Sequence, residues 1–356
     1  MEIIAKNGPE ADLLKTRLEK WLESVHAWHA HFIWSPNEKA AWTELHKPLS
    51  ECRVALVTTG GVHLKTQPAF DVASDWGDWS FRGIPAHVNP GELMISDVHY
   101  DHSGPDMDIN CLLPLSHLIK FADKGFIGSV AETHYGFMGF IMDPQKLVTE
   151  TAPEVARRLL EDKVDVVFMT PGCAVCHHTI GLIQNVLENA GLVTMAMTLK
   201  PEVTHFMHIP RAAYVRYPYG YPLGPAFQPE LQREIMRKGM ELINEIEEPE
   251  TIVKLPYRWA GSRSSEPDQS ADARTLELIT HIEEMMTLLQ SIQADMENYQ
   301  KDEQAKQVPS SYKLNFYKSQ AERAKKLSNM LDEEAVYMVN GLRNLSGPIK
   351  YLREEG

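Results

Sequence analysis

The sequence predicts an α/β protein: a mostly parallel sheet with helices on both faces, built like the halves of Rossmann-like and flavodoxin-like folds. Three observations lead to this prediction. Short apolar runs rich in β-branched residues alternate with amphipathic segments of helical period, the connections are short, and the runs end at glycine or polar residues. Such alternation produces right-handed crossovers and a sheet that is buried on both faces.

The first half of the chain contains four predicted elements. Leucine, tryptophan and valine side chains recur every three or four residues over 9–28, which predicts a helix with one apolar face. The run "RVALVTTGG" (53–61) is apolar and stops at two glycines, as a buried parallel strand does. "GELMISDVHYD" (91–101) predicts a second strand with a polar end. "PLSHLIKFADKG" (114–125) predicts a helix that Gly125 terminates.

The second half repeats this alternation. Residues 143–163 have a helical pattern that Pro153 interrupts, and they lead directly into "VDVVFMT" (164–170), the clearest buried strand in the chain. Residues 173–191 predict a helix whose apolar side chains share one face and which Gly191 terminates. Two further apolar runs predict strands at 192–199 and 212–218.

Size and composition limit the function. The chain has 356 residues, 43% of them hydrophobic, which is enough for a substantial core. Its formal net charge of −14 repels phosphate backbones and anionic lipid, so we expect no nucleic-acid partner and no membrane association. No apolar run reaches the ~20 residues of a membrane-spanning helix, and the first residues are too charged for a signal peptide. We therefore expect a cytoplasmic protein.

The domain prediction follows from a change of composition near residue 258. Beyond it a polar stretch without apolar periodicity predicts a linker, and a four-three repeat of apolar residues then predicts a long helix and a second helix after a break. The spacing leaves open whether these helices pack on the α/β body or join subunits, and we expect a homo-oligomer. The predicted segments are N-terminal helical (1–50), α/β catalytic body (51–258), linker (259–274) and α-helical hairpin (275–356).

Polar residues follow several predicted strands at the edge where a parallel sheet binds its ligands, beyond the carboxyl ends of the strands. We expect three segments to meet there, ending the strands at 53–61, 91–101 and 164–170. A second His-Tyr pair occurs in "ETHYGFMGF". Taken alone, Asp101, Asp106 and Asp108 are predicted to be solvated loop carboxylates. The candidates for substrate binding or proton transfer are Gly60, Gly61, His99, Tyr100, Asp101, His134, Tyr135 and His177.

The stretch "TPGCAVCHHTIG" (170–181) holds the two cysteines that have motif spacing, Cys173 and Cys176. The other two, Cys52 and Cys111, stand in apolar surroundings and are predicted to be reduced core thiols. Four cysteines in a chain of this length do not form a disulfide framework. We therefore expect the chemistry of the chain at the C-x-x-C pair.

The C-x-x-C pair is open to four interpretations. Thiol chemistry is favoured, because Cys173 would fall at a helix N-terminus, where free N–H groups and the helix dipole favour a thiolate, with Cys176 one turn further on. The stretch also matches the C-x-x-C-H pattern of haem attachment, but such proteins are exported first and we expect no export signal here. Simple packing of both cysteines is the third interpretation.

A zinc or iron site is the fourth interpretation. Cys173, Cys176 and His177 or His178 would supply three ligands, fewer than a structural zinc site needs. No second C-x-x-C or H-x-x-x-H follows at knuckle spacing. A further ligand would come from a distant histidine: His99, His134, His205 or His208.

Several blocks of sequence in order resemble the selenoprotein B family of glycine, sarcosine, betaine and D-proline reductases, and within it the short, D-proline-reductase-like branch. They include "RVALVTTGGVHL", "SFRGIP", "IGSVAETHYGFMG", "VDVVFMTPGCAVCHHTIGLIQNVLENAGLVT" and "PRAAYVRYPYGYPLG", and the resemblance covers roughly residues 45–245. In that family a selenocysteine opens a U-x-x-C motif at this turn. Here Cys173 stands at its position, and Cys176 matches the cysteine that follows.

The resemblance implies a reductase that cleaves a bond at a substrate carbon. Cys173 would be the nucleophile and Cys176 the resolving thiol, which together end as a disulfide. It implies a small-molecule substrate, no bound cofactor, and an external dithiol or a thioredoxin-like redox partner protein as reductant. The family's amino-acid reductases carry a pyruvoyl group on a separate subunit, and no precursor for one is recognisable here, so a subunit of a multi-component reductase is the related alternative.

Overall fold

A mixed β-sheet, nine-stranded within the described residues 2–259 of this computed structural model, forms the centre of the fold. The predicted hairpin and all but the first residue of the predicted linker lie outside these residues. The strands are β1 (Glu2–Ile3), β2 (Arg53–Thr58), β3 (Val62–Leu64), β4 (Phe81–Pro85), β5 (Leu93–Ile95), β6 (Ser129–Val130), β7 (Thr133–Phe137), β8 (Val166–Thr170), β9 (Val193–Thr198), β10 (Arg211–Arg216) and β11 (Thr251–Arg258). The helices are α1 (Pro9–Trp28), α2 (Ser103–Met107), α3 (Leu115–Asp123), α4 (Ala152–Glu161), α5 (Cys176–Asn189), α6 (Pro201–Phe206) and α7 (Pro229–Glu241).

The strand order of the sheet is β1-β11-β10-β9-β8-β2-β7-β4, with β6 also paired to β2. Only the edge strands β1 and β4 run antiparallel to their neighbours. The six longer parallel strands, numbered along the chain, lie in the order 2-1-3-4-5-6, which is the flavodoxin-like arrangement. In such sheets ligands bind at the switch point between the first and third strands. Here that point lies between the ends of β2 and β8.

Helices cover both faces of the sheet, as predicted. On one face α1, α4, α5 and α6 contact one another and pack on side chains such as Val57 and Met169. On the other face α3 contacts α7, and Gly239 of α7 lies against the ring of Phe168, the neighbour of Met169 in β8. Because successive side chains of a strand point to opposite faces, these contacts place α7 and α5 on opposite sides. The predicted α/β class is confirmed.

The strongest patterns predicted their elements well. The helix predicted over 9–28 is α1, and the strands predicted at 53–61, 164–170 and 192–199 are β2, β8 and β9, each shorter by a few residues. Pro153 stands in the first turn of α4, directly after a π-helical turn at Leu147–Thr151. The proline therefore does not break the helix: helical residues run continuously from 145 to 161, and Pro153 coincides with the change from π-helical to α-helical turns.

The strand predicted at 91–101 is wrong in length and in position. Only three residues, β5, are extended, and they pair antiparallel with β3 in a separate two-stranded sheet. Met94 at its centre is 39% exposed, so this is a half-exposed ribbon and not a strand covered on both faces. The polar end of the segment nevertheless reaches the carboxyl edge of the main sheet, because the Ser96 N–H bonds to the Gly61 carbonyl.

The segment that follows α1 is bound to the helical face by polar contacts. Asn37 donates to the carbonyls of Gly181 and Met207, and the buried Glu188 carboxylate accepts the Thr43 N–H. The buried guanidinium of Arg211 lies 3.5 Å from the Glu188 carboxylate and donates to the Thr43 carbonyl. Among the described residues, no helix is both long enough and apolar enough to span a membrane.

Candidate functional site

The C-x-x-C pair lies at the switch point of the sheet. β8 ends at Thr170, a turn follows, and α5 begins at Cys176. The helix thus starts three residues later than predicted, since a turn closed by the His177 N–H on the Ala174 carbonyl comes first. The sulfur atoms of Cys173 and Cys176 are joined in a disulfide, with Cα atoms 4.9 Å apart.

The two sulfur atoms have unequal surroundings. Each receives one main-chain N–H: that of Cys176, at the start of α5, lies 3.2 Å from the Cys173 sulfur, and that of Cys173 lies 2.7 Å from the Cys176 sulfur. The Cys176 sulfur also lies 3.4 Å from the Thr59 carbonyl oxygen and 3.9 Å from an oxygen of Asp97. Oxygen acceptors favour a protonated thiol, whereas a helix N–H favours a thiolate. The Cys176 sulfur therefore faces oxygen acceptors in addition to its N–H, whereas the Cys173 sulfur receives the N–H at the start of α5.

Glycines allow this close packing. A Cβ atom on Gly139 would lie 2.7 Å from both Cα and Cβ of Cys176. Gly61 has a φ of 74°, and a Cβ there would lie 2.7 Å from the Asp97 nitrogen. The predicted Gly60–Gly61 pair therefore has a structural reason: it lets the 91–101 segment approach the cysteines.

That segment contributes three of the predicted site residues. The Tyr100 hydroxyl donates to the Gly60 carbonyl at 2.6 Å, and burial raises the pKa of this phenol well above its usual value. His99 lies beside Asp97, with 2.6 Å between Nδ1 and Oδ1. Asp101 is exposed, and its carboxylate accepts the Ser103 N–H as a turn cap.

Asp97 is the residue that sequence reasoning missed. It is fully buried, accepts the His99 N–H at 2.9 Å, and completes a cluster with Cys173 and Cys176 in which the candidate ligand atoms lie within 4.8 Å of one another. The pattern "SDVH" is typical of a turn, because an aspartate side chain commonly accepts a hydrogen bond from the main-chain N–H two residues later. Its burial is not readable from the sequence.

The two histidines behind the cysteines are buried and neutral. His177 Nε2 accepts the Leu199 N–H, so Nδ1 carries the proton and donates to the Cys173 carbonyl at 2.8 Å. His178 Nε2 accepts the Ser35 N–H. Burial lowers the pKa of each ring to about 4. Both His177 nitrogens are thus engaged with the main chain, which disfavours the predicted metal set that uses this ring.

The second predicted His-Tyr pair, His134 and Tyr135, lies within the sheet. The Leu56 N–H bonds to His134 Nδ1 at 2.9 Å, and burial lowers the pKa of that ring to about 3. Tyr135 packs edge-on against Phe81, and burial raises its pKa. Both side chains therefore make their contacts within the core.

The remaining predicted side chains have partners of their own. Asp106 pairs with His102, and Asp108 accepts from Gln232. His208 pairs with Glu250, and His205 stacks edge-on against Phe206. Cys52 and Cys111 are free thiols in the core, as predicted, and burial raises the pKa of both, that of Cys52 to about 11.

An aromatic cover encloses the pair. Cys173 is 1% exposed and Cys176 is fully buried, in a cluster with Val25, Phe32 and Phe140. Trp34 and Tyr100 pack against this cluster. Residues after α1 therefore form one wall of the site.

The buried histidines give a testable pH dependence of stability. Because the pKa of His134, His177 and His178 is lower in the folded chain than the ~6.5 of an unfolded histidine, their contribution is complete above pH ~6.5 and is lost as the pH falls toward 4. Once the pH is low enough to protonate the ring, a pKa shift of this size lowers the free energy of unfolding by roughly 3 kcal/mol per ring. We expect the urea midpoint of unfolding to fall steeply between pH 6.5 and 4.

The matched control is the exposed His46. His46→Gln should leave the slope of the urea midpoint against pH unchanged, whereas His178→Gln should reduce it. A midpoint that stays constant from pH 7 to pH 4.5 in the wild-type protein would contradict the neutral, buried assignment.

The chain is similar to known proteins over most of this body. The family model described as glycine/sarcosine/betaine reductase selenoprotein B matches residues 28–172, ending one residue before Cys173. The chain is 37% identical over 218 residues to the D-proline reductase subunit gamma of Acetoanaerobium sticklandii, covering 61% of this chain and 89% of that protein.

Two further relatives come from Peptoclostridium acidaminophilum. The betaine reductase complex component B subunit beta is 27% identical over 42% of this chain and 35% of its own length. The glycine reductase complex component B subunit gamma is 23% identical over 59% of this chain and 49% of its own length. No solved structure matches the chain.

Proposed function

Because the chain belongs to the glycine/sarcosine/betaine reductase selenoprotein B family, we propose that it is a thiol-dependent component of a multi-subunit reductase. The Cys173–Cys176 pair is its reacting group. The observation that carries the proposal is the polarised surroundings of the two sulfurs, with the first N–H of α5 at Cys173 and two oxygen acceptors at Cys176. This asymmetry supports Cys173 as the attacking thiolate and Cys176 as the resolving thiol.

The proposed reaction has two bond exchanges. The Cys173 thiolate attacks a substrate carbon, a carbon–sulfur bond forms, and the leaving group departs with its electron pair and takes up a proton. Cys176 then attacks the Cys173 sulfur, so that a disulfide forms and the carbon–sulfur electron pair returns to the carbon, which is protonated. The substrate carbon is reduced, the two thiols are oxidised, and an external dithiol or thioredoxin-like protein restores them.

The substrate class follows from the same chemistry. The second exchange releases a carbanion equivalent, so the carbon must stand next to a carbonyl or carboxyl group. The relatives are named for D-proline, betaine and glycine, each of which carries a nitrogen at such a carbon. We therefore propose a small amino-acid-derived substrate and a second protein subunit as partner. Because Cys173 is only 1% exposed, the aromatic cover must open before a substrate can reach its sulfur.

Trapping of the covalent intermediate tests the proposal. In Cys176→Ser the first exchange can occur but the second cannot, so the substrate fragment should stay on Cys173. We expect intact-mass and peptide-mass analysis to find close to one fragment per chain after incubation of the reduced variant with partner subunits and D-proline, betaine or glycine. The buried thiol of Cys52 provides the matched control, since Cys52→Ser should turn over without accumulating any adduct.

Two results would count against the proposal. One is full turnover by Cys176→Ser when a dithiol is the sole reductant. The other is a substrate fragment found on any residue other than Cys173.

A further inference from the structure

A buried carboxylate stands between the cysteine pair and a partly exposed histidine. Asp97 has no solvent exposure, with Oδ2 3.9 Å from the Cys176 sulfur and Oδ1 2.6 Å from Nδ1 of His99. A buried carboxylate persists only with partners, and here two of them, the His99 N–H and ring, hold a single oxygen. The second oxygen is directed toward the sulfur.

His99 connects this carboxylate to the surface. Its side chain is 23% exposed, and its ring is stacked on Phe140 with centroids 3.7 Å apart and planes at 10°. The stacking fixes the ring plane, and the contact with Asp97 fixes which nitrogen faces inward. An imidazole held in this way keeps its hydrogen bond to Oδ1 in place and leaves Oδ2 facing the sulfur.

We propose that Asp97 accepts the proton of Cys176 when this thiol attacks Cys173, and that His99, which holds the other carboxylate oxygen, positions Asp97 for this transfer. The inference rests on the proposed function, because it assigns the proton of the second exchange. Asp97 touches a reacting atom and is therefore a candidate catalytic residue, whereas His99 acts through Asp97 and positions it.

The step is balanced. As the sulfur of Cys176 forms its bond to the sulfur of Cys173, its proton moves to Oδ2 of Asp97, and the electron pair of the Cys173 bond that breaks leaves with the carbon or thiol fragment. Asp97 then returns to its anionic form by releasing this proton to water, while His99 keeps its hydrogen bond to Oδ1. When the disulfide is later reduced, the same path in reverse protonates the departing Cys176 thiolate.

Few other titratable groups face this path in the part of the chain that the structure describes. The Tyr100 phenol is coupled to Asp97, but burial and that negative charge raise its pKa well above neutrality, so it stays protonated. His29 lies near His99. Burial and the charge of the His99 ring lower the pKa of His29, and the Asp75 carboxylate opposes this shift. The contact between Asp97 and the Cys176 sulfur is therefore the route that the geometry offers for this proton.

A small thiosulfonate tests the inference without substrate or partner. Methyl methanethiosulfonate places a methylthio group on a reactive thiolate, and Cys176 then expels methanethiol to form the disulfide. Quenched-flow peptide mass analysis follows the adduct on Cys173. We expect a short-lived adduct in the reduced wild-type protein and a lifetime about 10²-fold longer in Asp97→Asn at pH 7, the order of effect of a general base.

The pH profile separates proton transfer from a structural effect. In Asp97→Asn the adduct should resolve faster as the pH rises through the ordinary thiol range near ~8.5, because hydroxide then ionises Cys176 directly. An adduct that persists at every pH would indicate a displaced cysteine and would overturn the inference. An adduct that resolves as fast as in the wild type at pH 7 would also overturn it, while leaving the proposed function intact.

Two further variants complete the design. Asp106→Asn removes a carboxylate of a comparable Asp–His pair that is exposed on the surface, and it should resolve the adduct at the wild-type rate. His99→Gln should lengthen the lifetime of the adduct by about 10-fold at pH 7. This variant replaces Asp97→Asn as the test if Asp97→Asn does not fold. An unchanged lifetime in His99→Gln would then overturn the inference. If the wild-type adduct itself never resolves to a disulfide, the proposed function fails instead.

Discussion

Replacing Cys173 by serine should abolish reductase turnover, with a loss on the order of 10⁴-fold or more, as expected when a covalent nucleophile is removed. A hydroxyl at this position stays protonated at neutral pH, so the N–H of Cys176 no longer has a thiolate to stabilise. The measurement is product formation with partner subunits and dithiol reductant present, using the substrates named for the relatives.

Cys52→Ser is the control for this experiment. Its thiol is also buried, but it directly precedes β2 and bonds to the Pro48 carbonyl. We expect wild-type turnover from Cys52→Ser. Full turnover from Cys173→Ser would remove the basis for a nucleophilic role of the pair.

Replacing Gly139 by alanine should destabilise the fold and slow disulfide formation together. The new Cβ would lie 2.7 Å from Cα and Cβ of Cys176, which are rigid parts of the first turn of α5. Overpacking of this kind costs about 1–3 kcal/mol. Because the clash pushes Cys176 away from its partner, we expect a lower urea midpoint and a slower loss of the methylthio adduct on Cys173.

Gly91→Ala provides the comparison, because a Cβ there meets only the side-chain oxygen of Asn89 at 3.4 Å. Its urea midpoint and its rate of disulfide formation should remain close to those of the wild type. Equal midpoints for Gly139→Ala and Gly91→Ala would show that α5 can shift freely, in conflict with the close packing described above.

The sequence predicted the centre of the fold because the relevant signals are local. β2, β8 and β9 are uninterrupted apolar runs, and α5 carries a one-sided apolar pattern between a turn and a glycine. The order of these elements then placed the cysteines at the carboxyl edge of a parallel sheet. That inference needed only the handedness and burial rules of α/β proteins.

Other elements depended on tertiary contacts that no local pattern reveals. β7 reads "THYGF", in which a histidine and a glycine obscure a buried strand, and β4 contains both glycine and proline. The segment at 91–101 looked like a strand of the main sheet, yet its partner is the short β3. Pairing of strands distant in sequence decides these cases.

Local signals predicted part of the site, and tertiary contacts decided the rest. Spacing and the family resemblance indicated Cys173 and Cys176, and the same reasoning pointed to the segment of His99 and Tyr100. It missed Asp97, because a carboxylate in a polar loop is ordinarily solvated, whereas this one is buried under Gly61. Conversely His177, adjacent to the pair in sequence, is fully committed to main-chain hydrogen bonds.

The central claim is that the Cys173–Cys176 pair is oxidised as substrate is reduced. The most direct measurement is a single turnover of the fully reduced protein with partner subunits and substrate but without external reductant. Product is quantified, and alkylation followed by peptide mass analysis determines the state of both cysteines. We expect one product for each chain in which the pair has become a disulfide. Product formed while both thiols remain open to alkylation would contradict the claim.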